Sequence, residues 1–173
     1  NKKVFVVTLG CAKNLVDSEY LVTGLKHVGY SMTDNIHQAG IVIINTCGFL
    51  DVAREESINK IIEIENKKKE GLIDKVIVMG CLSERYGDEL SKEISGVDKF
   101  FGSEEHEAVI KYISGKPFSL DDPDIIRASL TPAHYSYLKI AEGCDNACSF
   151  CSIPLMRGLQ KSQPLRWNIE EAK

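Results

Sequence analysis

Six cysteines hold most of the chemistry open to this 173-residue chain, and they fall into two groups of three. Cys144, Cys148 and Cys151 stand in one short stretch with the spacing C-x3-C-x2-C. A loop of this kind can wrap three thiolates around one face of an iron–sulfur cube. Structural zinc normally takes four protein ligands, and the nearest preceding histidine, His134, falls in a different stretch of sequence. A cube held by three cysteines leaves one iron open, and an open coordination position goes with reactivity rather than scaffolding. Cys11, Cys47 and Cys81 are far apart in sequence but share a context, each closing an apolar run that ends in Leu9-Gly10, Asn45-Thr46 or Met79-Gly80.

The elements that must position these thiols can be read from the pattern. Apolar runs at 4–9, 41–44 and 76–79 resemble strands covered on both faces. Shorter strands are expected at 30–33 and 99–101. Between them, Leu21, Val22, Leu25 and Val28 recur at helical spacing, with Asn14 as the expected N-cap and Gly29 as the closing residue. Helices are also expected at 52–69, with Ile58, Ile61 and Ile62 inward, and at 84–94 and 105–113. This repeating β-α order predicts an α/β fold with a five-stranded parallel sheet of flavodoxin-like order 2-1-3-4-5. The cysteine-bearing strands 1, 3 and 4 would then be neighbours. With strands about 4.8 Å apart, their three thiols would converge within roughly 10 Å at the carboxyl edge.

A composition of 43% hydrophobic and 27% charged residues supports a globular core and excludes wholesale disorder. No apolar run approaches the roughly 18 residues of a membrane helix, so no membrane partner is expected. The apolar stretch at 4–7 is too short for a signal sequence, so a cytoplasmic location is expected. A net charge of −4 argues against direct nucleic-acid binding by these residues. Residues 1–115 read as one domain and 116–134, with Pro117, Asp121-Asp122-Pro123 and Pro132, as a linker. Residues 135–173, opening with a strand at 137–141, read as the start of a second domain too short to close its own core.

The triplet resembles the signature of radical S-adenosylmethionine enzymes. Together, the two trios resemble the methylthiotransferases, over nearly the whole chain. The resemblance rests on Gly10-Cys11-Ala12-Lys13-Asn14-Leu15-Val16-Asp17-Ser18-Glu19, on Asn45-Thr46-Cys47-Gly48-Phe49, on Gly80-Cys81-Leu82-Ser83-Glu84-Arg85-Tyr86 and on the stretch from Tyr137 to Pro154. The first block is similar to the RimO branch, whose members modify the β-carbon of an aspartate in a small-subunit ribosomal protein. The resemblance implies two [4Fe-4S] clusters, one on Cys144, Cys148 and Cys151 that binds S-adenosylmethionine, and an auxiliary one on Cys11, Cys47 and Cys81. It implies a radical that abstracts hydrogen from the substrate, a second S-adenosylmethionine as methyl donor, and Phe150 near the adenine. It also implies a (β/α) barrel that begins at residue 135 and a TRAM domain, without which these residues alone would turn over poorly. The electron donor stays unknown. The alternatives are a tRNA-adenosine methylthiotransferase, or a two-cluster electron carrier. The match thins at Arg157-Gly158-Leu159-Gln160-Lys161-Ser162-Gln163, where the family often has Arg-Gly-x-x-Arg-Ser-Arg.

Lys13, Asp17, Glu19 and Arg85 lie beside the first-trio loops. Asp17 and Glu19 are read as acids favoured by the helix macrodipole, and Lys67-Lys68-Lys69 as a solvated helix end. None of His27, His37, His106 and His134 has partner spacing.

Overall fold

A computed structural model describes residues 2–119 and 125–173. Asp121-Asp122-Pro123 of the expected linker lie outside the described residues. Five parallel strands run β1 (Lys3–Thr8), β2 (Ser31–Met32), β3 (Ile41–Thr46), β4 (Lys75–Gly80) and β5 (Lys99–Phe100), in the spatial order β2-β1-β3-β4-β5. This is the expected order. The strand period of two divides the core: Ile43, Ile77 and Met79 face one side with Val4, while Val42, Ile44, Val76 and Val78 face the other. Helices α1 (Ala12–His27) and α4 (His106–Ser114) cover the first face through Leu21, Leu25, Val109 and Ile110. Helices α2 (Asp51–Lys69) and α3 (Cys81–Glu93) cover the second through Ile61, Ile64 and Leu82.

Several local expectations need correction. Helix α1 starts at Ala12, so Asn14 lies inside its first turn, fully buried, and caps nothing. In α2 Ile58 and Ile61 face inward as expected, together with Ser57, Ile64 and Glu65, whereas Ile62 is 42% exposed. One residue along a helix turns the side chain by about 100°, which carries Ile62 past the edge of the core-facing stripe that Ile58 and Ile61 occupy. Lys68 is not merely solvated: its ammonium lies 2.6 Å from Asp98 and 3.0 Å from the Gly96 carbonyl, tying α2 to the turn before β5.

Beyond residue 125 the chain packs back onto the first face. The Ala128 amide donates to Thr23 Oγ1 at 2.7 Å and the Leu130 amide to Glu19 Oε1 at 2.7 Å, so this part of the linker lies along α1. Strands β6 (Ala141–Glu142) and β7 (Lys161–Ser162) form an antiparallel pair, with α5 (Ile153–Arg157) between them and α6 (Leu165–Ala172) after them. The strand expected at 137–141 is therefore shorter and shifted to Ala141–Glu142. Because this segment covers its outer side, α1 is buried almost all round, including Asp17, Glu19 and Thr23.

Candidate metal centre at the carboxyl edge of the sheet

The turns that leave β1, β3 and β4 deliver Cys11, Cys47 and Cys81 to one edge of the sheet. Cys11 precedes α1, Cys47 follows β3 and Cys81 opens α3. Two side chains bind the turns together. Asn14 Nδ2 donates to the carbonyls of Leu9, at 2.8 Å, and Thr46, at 3.0 Å, joining the exits of β1 and β3. Ser57 of α2 bonds both the amide and the carbonyl of Cys47 at 3.1 Å. The Cys11 and Cys81 sulfurs then lie 4.0 and 3.8 Å from the same Asn14 Oδ1.

Gly10 lies against Cys47. With φ of +92°, a Cβ there would sit 2.5 Å from Cys47 Cβ and 2.8 Å from its sulfur. The position demands a residue without a side chain on both steric and backbone grounds. Cys47 and Cys81 are buried and Cys11 is exposed, so the trio opens to solvent on the Cys11 side. Three converging thiols with one open side are a donor set suited to an iron–sulfur cluster.

Arg157, at the end of α5, inserts into this edge from the returning segment. Its Nε donates to the Cys81 sulfur at 3.1 Å, its Nη2 to Asn14 Oδ1 at 2.6 Å and its Nη1 to Asp17 Oδ2 at 2.6 Å. Burial pushes the Cys81 thiol up from its usual range, while the guanidinium pulls the other way.

Lys139 lies beside it, 2.8 Å from Asp17, 2.5 Å from Glu142 and 3.4 Å from Glu104. These three carboxylates converge closely enough to suggest a cation site, but the ammonium of Lys139 already reaches all three. The side chains of Asp17, Arg157 and Lys139 are only 1, 4 and 5% exposed. Burial alone would lower the Lys139 pKa, yet the neighbouring Asp17 and Glu104 charges raise it above its ordinary value. Burial likewise disfavours the Glu142 carboxylate, but hydrogen bonds from Lys13 and Lys139 prevail and hold its pKa down at about 2. His106, whose Nε2 is 3.8 Å from Asp17, has its pKa lowered by burial and stays neutral.

Asp17 and Glu19 are thus not macrodipole acids. Asp17 anchors Lys139 and Arg157, and Glu19 pairs with Arg127 at 2.5 Å. Lys13 pairs with Glu142 at 2.7 Å, while Arg85 lies over the Tyr86 ring. Sequence reasoning assigned no role to Arg127, Lys139, Glu142 or Arg157. The available signals were the pair of acids on a helix with apolar spacing and the place of Lys139 and Glu142 in a stretch that carries the resemblance, with Arg157 in the Arg-Gly pair that follows it.

The second trio lies in the loop between β6 and α5. Its geometry is set by the amide of Cys144 donating to the Gly158 carbonyl at 3.1 Å, and that of Cys151 to the Cys148 carbonyl at 3.1 Å. Gly143, at φ +74°, lets the two strands of chain close up, since a Cβ there would meet the Leu159 carbonyl at 2.1 Å. Cys148 is exposed, Cys144 and Cys151 are half-buried, and Phe150 is 90% exposed, so Phe150 fills no core.

Residues 3–102, which span the sheet and the whole first trio, match the model of the Uncharacterized protein family UPF0004. The chain belongs to this family. As a UPF0004 member it is 48% identical to the ribosomal protein uS12 methylthiotransferase RimO of Flavobacterium johnsoniae, over 99% of this chain and 39% of that protein. The protein of the same name from Cytophaga hutchinsonii is also 48% identical, again over 99% and 39%. That from Anaeromyxobacter sp. strain K is 42% identical, over 98% and 38%. The methylthiotransferase resemblance of RimO type is borne out. The chain spans about two-fifths of the length of these curated relatives.

Proposed function

We propose that this chain is the cofactor-bearing part of a radical S-adenosylmethionine methylthiotransferase acting on an aspartate β-carbon of the ribosomal protein uS12. The observation that supports this best is the meeting of the Cys11 and Cys81 sulfurs at Asn14 Oδ1, with Cys47 against Gly10, at the sheet edge that receives Arg157 from the segment carrying the second trio. In this reading Cys11, Cys47 and Cys81 hold one [4Fe-4S] cluster, and Cys144, Cys148 and Cys151 hold the other. When bound, the clusters and S-adenosylmethionine supply the electron, the radical, the methyl group and the sulfur.

This chain's own residues hold and orient. Asn14 and Ser57 fix the turns of the first trio. Gly143 and Gly158 set the loop of the second. Exposed Phe150 offers a ring against which adenine can stack. Residues 135–173 begin the radical barrel, and the work takes place in the cytoplasm. Residues 1–173 alone turn over poorly, because the rest of the substrate site lies elsewhere in the longer protein.

The test is to incubate the intact, anaerobically reconstituted enzyme with uS12 and, separately, with tRNA. Mass spectrometry of both should find one hydrogen replaced by a methylthio group in uS12 only. Modification of tRNA alone would overturn the substrate assignment.

A further inference from the structure

Arg157 is the only described residue that bonds a first-trio sulfur while adjoining the loop of the second trio. Its Nε donates to Cys81 Sγ at 3.1 Å, and its neighbour Gly158 accepts the Cys144 amide at 3.1 Å. The planar guanidinium spends its remaining donors on Asn14 Oδ1, at 2.6 Å, and Asp17 Oδ2, at 2.6 Å. All of this is buried. A lysine could not make these contacts together, because it offers a point charge rather than a fork.

The charge is held in place from outside the trio. Asp17 lies behind the guanidinium, and Glu142 and Glu104 flank it at 3.3 and 3.4 Å. Met156, one residue before, is pinned through its carbonyl by Ser103 Oγ at 2.7 Å. The helix end is thus anchored at Ser103, while the guanidinium is held at Cys81 by its own bonds to Asp17 and Asn14.

We propose that Arg157 is the positioning residue of the first trio, directing its Nε–H and its positive charge at the Cys81 sulfur so that a cluster held there is easier to reduce. This rests on the reading of Cys11, Cys47 and Cys81 as cluster ligands. Hydrogen bonds to ligand sulfurs and nearby positive charge stabilise the more negative, reduced form of a cluster and raise its potential. Arg157 reaches the trio only when the segment carrying Cys144 is docked, so the first cluster's electronics depend on the seating of the second loop.

The test uses the full-length protein with Cys144, Cys148 and Cys151 replaced by Ala, which leaves one cluster to observe. After anaerobic reconstitution, iron is counted and the midpoint potential is followed by electron paramagnetic resonance. R157Q should keep its iron, move the midpoint to a more negative value and change the resonance line shape. R157K, which keeps charge without the fork, should lie between R157Q and the parent. An iron-bearing R157Q with the parent's potential and spectrum would overturn the proposal. If R157Q does not fold, R157K decides: a more negative midpoint supports the proposal and an unchanged one overturns it. A parent that takes up no iron would instead refute the ligand assignment of the first trio, a separate failure.

Discussion

Replacing Asp17 by Asn tests whether buried charge holds the returning segment on the sheet domain. Asp17 serves two cations at once, Lys139 at 2.8 Å and Arg157 at 2.6 Å. Removing one partner of a buried pair typically costs 3–5 kcal/mol, because the other charge is left desolvated and unpaired. Here neither cation is left entirely alone. Lys139 retains Glu142 at 2.5 Å, and Arg157 retains Glu142 at 3.3 Å and Glu104 at 3.4 Å. The low end of the range applies, about 3 kcal/mol, which corresponds to roughly a hundredfold more frequent opening of the segment.

Native-state hydrogen exchange reads this directly. The amides of Cys144 and Gln163, bonded to the carbonyls of Gly158 and Ile140, should exchange about a hundredfold faster in Asp17→Asn. Amides of β3 and β4, in the centre of the sheet, should change much less. Glu170→Gln is the control: its pair with Lys173 is 53 and 67% exposed, so its loss should cost under about 1 kcal/mol. A change below about 0.5 kcal/mol at the segment amides of Asp17→Asn would show that Asp17 does not hold the segment on the sheet domain, since a surface pair could do as much.

Gly10→Ala combines a positive φ of +92° with a Cβ 2.5 Å from that of Cys47. It should cost about 1–3 kcal/mol in urea unfolding and halve the iron taken up on reconstitution; full iron would contradict the packing described. Asn14→Ala leaves the part-buried carbonyl of Leu9 and the buried carbonyl of Thr46 without this donor and should lower stability by about 1–3 kcal/mol, read from the same urea curves. His106 is held neutral by burial, with its folded pKa below the ordinary 6.5. The unfolded chain then binds the extra proton, so stability is full above pH 6.5 and declines as pH falls below it. His106→Gln should flatten that part of the stability–pH curve; an unchanged slope would assign it to other groups.

The sheet was legible because its signals are local and repeated. Residues 41–44 and 76–79 are apolar runs too short for helices, and the β-α order leaves few topologies. The order also placed Cys11, Cys47 and Cys81 on one edge without any knowledge of side chains. The ion network was not legible. Asp17 and Lys139 are separated by 122 residues, and the pattern around Asp17 suits a helix N-terminus as well as a buried anchor. Only the return of the chain along α1 distinguishes them. Asn14 was misread for a similar reason: a polar residue near a helix start fits a cap, whereas its actual bonds go to carbonyls from two different turns. Arg157 was visible as part of a motif, but the direction of its side chain depends on how α5 packs against Ser103.

Iron, acid-labile sulfide and zinc per chain after anaerobic reconstitution show whether the six cysteines hold two clusters. About eight irons with matching sulfide are expected, falling to about four when either Cys11, Cys47 and Cys81 or Cys144, Cys148 and Cys151 are replaced by Ala. Stoichiometric zinc with little iron would contradict the two clusters, reducing the cysteines to structural ligands.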